Sequence, residues 1–198
     1  FLNELKEALN NAGFEIGNQN HLLVGCGDYF DRGSQNCEML EFLSSIPNKV
    51  LVRGNHCDLL SECLDEIRAG YTPGRHHFSN GTVKTICQFC GQNEWIIYDP
   101  TWRDKILEIM QPILNWIDEN CVDYYETQNH IFVHGYIPCQ SDFSGPWYSK
   151  NYKYLDNWRN ATKEQWEAAR WDNGVDIAKT FGVVEPRKQI VVGHWHCS

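Results

Sequence analysis

With 198 residues and no internal repeat or linker, the chain is expected to form a single domain over residues 1–198, long enough to bury a substantial core. The formal net charge of -9 argues against general nucleic-acid binding, which needs a basic surface, and no apolar run approaches the roughly 20 residues that span a bilayer. No signal peptide is visible, and the 9 cysteines lack the spacing of a secreted disulfide framework, so we expect a soluble, cytoplasmic protein with reduced thiols.

The first predicted elements are a helix, a strand and a polar loop. Apolar side chains recur with helical spacing over residues 2–12, and Gly13 follows as a helix stop. The apolar run 21–26 predicts a buried strand. The strand leads directly into the sequence GDYFDRG at residues 27–33, so it is expected to place two carboxylates, an arginine and flanking glycines in one loop.

This loop has the chemistry of a site for cations and phosphate. Asp28 and Asp31 lie close together in sequence, and hard divalent cations prefer carboxylate oxygens. Arg32 adds a planar guanidinium whose donors fit two phosphate oxygens at once. Taken alone, these residues are equally compatible with an ordinary turn that carries a solvated Asp-Arg pair, so the interpretation depends on the rest of the chain.

A second helix and strand repeat this arrangement. Residues 34–43 have helical periodicity, and the apolar run 49–53 predicts a strand that ends in Gly54, Asn55 and His56. Because the carboxyl ends of parallel strands open on the same edge of a sheet, the two polar loops are expected to meet. That edge is where open α/β sheets bind ligands.

The middle of the chain is predicted to be largely helical. Residues 57–69 and 102–120 carry apolar residues at helical spacing, although Pro112 is expected to kink or divide the second helix. The segment 71–77 is predicted to be a loop, and residues 80–82 a turn.

Cys87 and Cys90 form a Cys-x-x-Cys pair in this region. A zinc knuckle needs two more ligands, for which His76, His77 and Cys121 are the candidates. Because one such pair is a weak signal, core or surface thiols are favoured.

Two later strands end in histidines. Residues 122–126 and 130–133 predict a hairpin that ends at His134, and the run 190–192 is followed by GHWH, which contains His194 and His196. Four β-like runs therefore end in Asp, Asn or His, which favours a shared ligand site over coincidence.

The motifs GDxxDRG, GNH, HGxxP and GHxH, at residues 27–33, 54–56, 134–138 and 193–196, together resemble those of the calcineurin-like metallophosphoesterases. The pairing of the first two is most similar to the phosphoprotein-phosphatase branch, which includes serine/threonine phosphatases and symmetrical diadenosine tetraphosphate hydrolases. The resemblance implies an α/β fold in which two mixed β-sheets pack as a sandwich flanked by helices, with metals where the strand ends converge.

The resemblance also implies roles for single residues. The implied metal ligands are Asp28, Asn55, His134, His194 and His196. Asp28 is expected to bridge two ions. His56, oriented by Asp31, becomes the general acid that protonates the leaving oxygen. Arg32 is expected to bind phosphoryl oxygens, with a further contact from Asn55. Arg170 is another candidate for phosphate binding, with a surface ion pair as the alternative.

The implied activity is hydrolysis of phosphomonoesters by a hydroxide that two divalent metals activate. Phosphoserine and phosphothreonine in proteins are the candidate substrates. The mixed oxygen and nitrogen ligands favour manganese or iron, with zinc as an alternative. Two other functions stay open. One is cleavage of a dinucleoside polyphosphate, with an adenine pocket from the aromatic stretch 147–171, although such aromatics are usually core or lid. The other is a non-catalytic metal-binding or scaffolding domain.

The chain departs from the family pattern in three places. The Asp-x-His motif of the first strand is absent, and the chain stops shortly after His196, so truncation at both ends is expected. Cys57 stands where the family usually has Glu or Asp after GNH, with Asp58 next along the chain.

Overall fold

The computed structural model of the chain describes residues 2–142 and 151–195. The α-helices in this part are α1 (Leu2–Asn11), α2 (Asn36–Ser45), α3 (Asn55–Arg68), α4 (Arg75–Asn80), α5 (Thr82–Phe89), α6 (Arg103–Asn120), α7 (Lys163–Arg170) and α8 (Gly174–Phe181). The strands are β1 (Leu23–Gly25), β2 (Lys49–Val52), β3 (Cys121–Val122), β4 (Tyr125–Glu126), β5 (His130–Phe132), β6 (Cys139–Asp142), β7 (Asn151–Tyr154) and β8 (Gln189–Val191).

The described strands form three sheets. β1, β2 and β3 make a parallel sheet, in which Val24 lies opposite Val50 and Leu51 opposite Cys121. β4, β5 and β8 make a mixed sheet, and β6 pairs antiparallel with β7. The expected α/β class is confirmed. The first sheet is parallel rather than mixed, because helical crossovers connect its strands.

The segment 122–126, predicted as one strand, is divided between two sheets. Val122 belongs to β3, which pairs with β2, whereas Tyr125 begins β4 and lies opposite Phe132 of β5. The chain thus leaves the first sheet and enters the second within a short connection. The loops that follow the strands of the two sheets consequently lie side by side, where they form the site described below.

Several helices differ from the predictions. α3 begins at Asn55, two residues before the predicted start at 57, which places Asn55 and His56 in its first turn. α6 continues through Pro112, because packing of its buried face outweighs the roughly 3 kcal/mol that an internal proline costs. The predicted loop 71–77 is wrong from Arg75 onward, where α4 begins. None of the described helices combines the length and apolar character needed to cross a bilayer.

A hydrophobic core fixes α3 between α5 and α6. Leu60 and Leu64 of α3, Ile86 of α5, and Met110 and Ile117 of α6 are at most 2% exposed. Each buried side chain of this size contributes about 2 kcal/mol. The amino end of α3, which carries two of the predicted site residues, is therefore held on a packed platform.

Candidate metal centre and active site

The loop after β1 has an uncommon backbone conformation. Asp28, Asp31 and Arg32 have positive φ angles of 53°, 73° and 54°. Residues other than glycine seldom adopt this left-handed region, and each costs on the order of 1–3 kcal/mol. A loop with three such residues persists only where the surrounding structure fixes it.

The junction between α4 and α5 fixes the second half of this loop. The Asp31 backbone N–H donates to Thr85 Oγ1 (3.1 Å), and its carboxylate accepts from the hydroxyls of Thr82 (2.9 Å) and Thr85 (2.5 Å). A Cβ on Gly81 would lie 2.5 Å from the Arg32 backbone nitrogen, so glycine is needed for this contact. The sequence indicated a turn here but not the two threonines. Their spacing on one face of an apolar helix is the signal that could have identified them.

Glycines at the strand ends let the loops touch. A Cβ on Gly27 would lie 2.3 Å from His134 Nδ1, and one on Gly54 would lie 2.4 Å from the Asp28 backbone nitrogen. Gly27 also has a φ of 92°. Only a residue without a side chain allows approaches this close. The glycines therefore bring the loops after β1, β2 and β5 into direct contact.

Four predicted metal ligands converge at this contact and are called the strand-end centre here: Asp28, Asn55, His134 and His194. His134 Nε2 lies 2.8 Å from Asn55 Oδ1 and 3.1 Å from His194 Nδ1. The same nitrogen lies 3.3 Å from Asp28 Oδ1. Carboxylate, amide and imidazole donors grouped this tightly suit a divalent transition metal. The residues present therefore fit one divalent metal ion.

A backbone carbonyl orients His134 within the strand-end centre. His134 Nδ1 donates to the Cys26 carbonyl oxygen at 2.7 Å, which leaves Nε2 to face the other donors. The carbonyl of His134 in turn accepts from the backbone N–H groups of Gly193 (2.8 Å) and His194 (3.0 Å). Hydrogen bonds of this kind hold ligating histidines in position, and the contact with Cys26 could not be predicted from the sequence.

The protonation states of the strand-end centre favour cation binding. Burial acts to raise the pKa of Asp28, but the hydrogen bond and charge of His134 and the charge of His56 outweigh it, so this pKa lies below its usual value. Burial, followed by the charge of His134, lowers the pKa of His194 to about 4. Near neutral pH, Asp28 is thus a carboxylate and His194 a neutral imidazole, as metal ligation requires.

His56 and Asp31 form a hydrogen-bonded pair beside the strand-end centre. His56 Nδ1 lies 2.6 Å from Asp31 Oδ2, and both residues are buried. Because an ionised carboxylate only accepts, Nδ1 carries the hydrogen of this bond. The other ring nitrogen, Nε2, lies 3.9 Å from Asp28 Oδ2. The pair therefore aims a titratable nitrogen at the strand-end centre.

Arg32 lines a cleft of about 450 Å³ together with Asp28, His56 and His194. Its Nη2 donates to Asn80 Oδ1 at 3.2 Å, which fixes one edge of the guanidinium. A cleft of this size accommodates a small ligand. Arg32 is thus placed with the predicted catalytic and metal-binding residues.

The structure does not bring Arg170 into this cleft. Its Nε and Nη2 donate to the Asp58 carboxylate at 2.6 and 3.1 Å, and its Nη1 donates to Asp123 Oδ1 at 2.8 Å. Arg170 is only 3% exposed. The ion-pair alternative describes this arrangement, although the pair is buried and joins α7 to α3. The predicted phosphate contact of Arg170 has no support here.

Three other features of the sequence are His196, Cys57 and the Cys87–Cys90 pair. His196 lies outside the described residues. Cys57 is buried, and the neighbouring thiol of Cys121 together with burial raises its pKa. Cys87 is buried in the core between α3, α5 and α6, and Cys90 packs against it. Within residues 2–142 and 151–195, neither cysteine of this pair belongs to a group that could hold a metal, in line with the favoured core thiols.

The family model of the calcineurin-like phosphoesterases matches residues 1–198. A comparison with curated proteins finds no match. Members of this family are generally metal-dependent phosphoester hydrolases, and Asp28, His134 and His194 offer donor atoms within 4.8 Å of one another. With the family match extending over residues 1–198, the chain belongs to the calcineurin-like phosphoesterases.

Proposed function

We propose that this protein hydrolyses phosphomonoesters, with phosphoserine and phosphothreonine of proteins as its substrate class. The observation that carries the proposal is the position of the His56 and Asp31 pair beside the strand-end centre. A phosphoryl group bound at that centre has a nitrogen nearby to protonate its leaving oxygen. The family match supports phosphoester hydrolysis in general, and the substrate class is our proposal.

Two divalent ions, manganese or iron by donor preference, are proposed to bind around Asp28, and the strand-end centre supplies the donors for one of them. When bound, such ions stabilise charge on the phosphoryl oxygens and activate the attacking water. Asp28 and His194 are in their ligating forms near neutral pH, because their pKa values are lowered. Asn55 and His134 are almost fully buried, so their donor atoms are held in place before a metal arrives.

His56 is proposed to give a proton from Nε2 to the leaving oxygen while its ring is protonated. Asp31 accepts from Nδ1 and so orients the ring toward Asp28. Thr82 and Thr85 hold the Asp31 carboxylate in turn. General acid catalysis by a positioned side chain contributes about 10²- to 10⁴-fold to the rate.

Arg32 is proposed to bind the phosphoryl oxygens through its planar guanidinium, whose geometry matches two oxygens at once. Its contact with Asn80 keeps the guanidinium at the cleft. Asn55 is a second contact, because its side-chain amide offers N–H donors as well as the oxygen that faces His134.

Dinucleoside polyphosphates are the second candidate substrates, favoured by two tryptophans beside the strand-end centre. Trp171 and Trp195 are 47% and 52% exposed, and their ring centroids lie 6.1 and 5.3 Å from that of His194. An exposed indole in this position is able to stack on a base. Trp158 and Trp166 are not, because both are buried in the core.

The test of the phosphatase proposal is hydrolysis of para-nitrophenyl phosphate by chelator-treated protein after addition of Mn²⁺, Fe²⁺ or Zn²⁺. We expect manganese or iron to restore activity. Asp28→Asn serves as the metal-centre control and is expected to stay inactive. Protein that binds metal stoichiometrically yet hydrolyses no phosphoester with any of the three ions would support the non-catalytic alternative and contradict the proposal.

The substrate class is tested by comparing a phosphoserine peptide with diadenosine tetraphosphate. We expect the peptide to have the higher kcat/KM. Trp171→Ala should raise KM for the dinucleotide alone if base stacking matters. Trp95→Ala is the matched control, since Trp95 is 46% exposed and its ring packs against Trp102 rather than His194. A higher kcat/KM for the dinucleotide, sensitive to Trp171→Ala, would favour the second candidate.

A further inference from the structure

A second group of metal-binding side chains lies where α4 packs on α3. This α3–α4 cluster consists of Glu62, Glu66, His76 and His77. One carboxylate oxygen or ring nitrogen from each residue lies within 4.8 Å of the others. Glu62 and Glu66 are four residues apart on α3, so the helix places both carboxylates on one face.

His77 is the buried member of the α3–α4 cluster. Its side chain is 0% exposed, and neither Nδ1 nor Nε2 makes a hydrogen bond. Burying a polar nitrogen without a partner costs about 1–3 kcal/mol. Glu66 Oε2 lies 3.5 Å from Nε2, a distance beyond that of normal hydrogen bonds. A bound cation at Nε2 explains this unpaired buried nitrogen.

Two donor-to-donor distances in the α3–α4 cluster are close to those of a tetrahedral metal site. His77 Nε2 is 3.5 Å from Glu66 Oε2, and His76 Nε2 is 3.5 Å from Glu62 Oε1. With zinc bonds of about 2.0–2.1 Å, ligands of a tetrahedral ion lie about 3.3 Å apart. Two carboxylates also balance the charge of one Zn²⁺ when both imidazoles are neutral. Two surface ion pairs are the plainer alternative, but they leave Nε2 of buried His77 without a hydrogen bond.

Gly74, which precedes α4, organises the α3–α4 cluster. Its N–H donates to Glu66 Oε2 at 2.7 Å, which fixes one carboxylate. A Cβ at this position would lie 2.9 Å from the His76 ring, so glycine lets that ring pack against the backbone. The ring centroids of His76 and His77 are 3.9 Å apart. These contacts hold donors from two helices together in advance of any ligand.

We propose that the α3–α4 cluster binds one Zn²⁺ ion, separate from the strand-end centre. The proposal does not depend on the phosphatase function. The ion joins α4 to α3, and α4 ends at Asn80, whose side chain contacts Arg32. Gly81 then packs against the backbone of Arg32. Zinc bound here thus anchors the segment that positions Arg32 at the cleft.

The test measures the zinc content of the full chain after chelation and reloading with Zn²⁺. The loading is then repeated with Co²⁺, whose tetrahedral complexes absorb strongly in the visible region. The variant Glu62→Gln/His76→Ala removes two donors that are about half exposed. We expect it to bind one equivalent of zinc less than the unmodified chain and to lose the Co²⁺ band. The control, Asp65→Asn/His21→Ala, changes one carboxylate and one histidine outside the cluster and should keep both.

Two further variants keep the test decisive. Glu62→Gln alone is isosteric and replaces the double variant if that protein does not fold. Asp28→Asn removes a donor of the strand-end centre and is expected to retain the Co²⁺ band. Equal zinc content in the Glu62→Gln variant and the unmodified chain would overturn the proposal. Loss of the Co²⁺ band in Asp28→Asn would assign the band to the strand-end centre and overturn it as well.

Discussion

The strand-end centre and the α3–α4 cluster both combine carboxylates with imidazoles, yet the chain builds them differently. The strand-end donors are spread from residue 28 to residue 194 and meet through glycine contacts and left-handed backbone. The α3–α4 donors lie between residues 62 and 77 and are aligned by two adjacent helices. The first arrangement depends on backbone geometry over the whole chain, whereas the second depends on helix periodicity and one turn. Backbone changes should therefore affect the two sites unequally.

The largest expected effect comes from Asp28→Asn, which removes a carboxylate from the strand-end centre alone. We expect turnover of para-nitrophenyl phosphate to fall by about 10⁴-fold, because bound metals contribute several kcal/mol to transition-state stabilisation. Metal analysis should show loss at this centre. If the α3–α4 cluster also lost its zinc, the two metal sites would not be independent of each other.

His56→Asn separates proton transfer from metal binding. Turnover should fall by about 10²- to 10³-fold, since the general acid is removed, while metal content stays the same because His56 is not among the proposed ligands. The measurement is steady-state kinetics together with metal analysis of one preparation. Full activity in this variant would remove His56 from the mechanism.

Gly54→Ala tests the dependence of the strand-end centre on backbone contacts. The new methyl group would meet Asp28 at 2.4 Å. We expect about 10²-fold lower turnover because Asp28 would be misplaced. Overpacking should also lower the free energy of unfolding by roughly 1–3 kcal/mol. Gly33→Ala is the matched control, because its Cβ would find ordinary spacing of 3.6 Å. Zinc at the α3–α4 cluster should survive both changes. Equal activity of the two variants would contradict the role given to glycine packing.

The smallest expected effect concerns an ion network in the second sheet that touches neither metal site. A hydrogen bond from Arg159, opposed by burial and helped by Lys188, lowers the pKa of Glu126 to about 2. The unfolded chain has a value of about 4.3 for Glu, so it binds more protons than the folded chain between these values. The stability that Glu126 contributes is therefore complete above about pH 5 and is lost as pH falls toward 2. Urea unfolding of metal-free protein between pH 6 and 3 should show a weaker pH dependence in Glu126→Gln.

The residues of the strand-end centre could be grouped from sequence because of a topological rule. Asp28, Asn55, His134 and His194 each follow an apolar run, and the carboxyl ends of neighbouring parallel strands share an edge. The closeness of His56 to Asp31 followed from the family resemblance. The roles of these residues in catalysis stay predictions until they are measured.

Other contacts could not be predicted because they depend on tertiary packing. Arg170 pairs with Asp58 and Asp123, which lie 112 and 47 residues away in sequence. In the sequence, Gly74 and two histidines mask the short helical pattern of α4. From the sequence, His76 and His77 are candidate zinc ligands only together with cysteines. In the structure they face Glu62 and Glu66 instead, a pairing that requires knowing how α4 packs on α3.

The left-handed backbone of Arg32 implies a conflict between stability and function. Glycine would adopt its φ of 54° without steric penalty, so Arg32→Gly should raise the free energy of unfolding by about 1 kcal/mol while removing the proposed phosphate ligand. A selection for thermal tolerance alone would therefore favour loss of this arginine, and a selection for turnover would oppose it. Paired melting curves and KM values for Arg32→Gly and Arg32→Ala would separate the two pressures, since alanine removes the guanidinium without relieving the backbone.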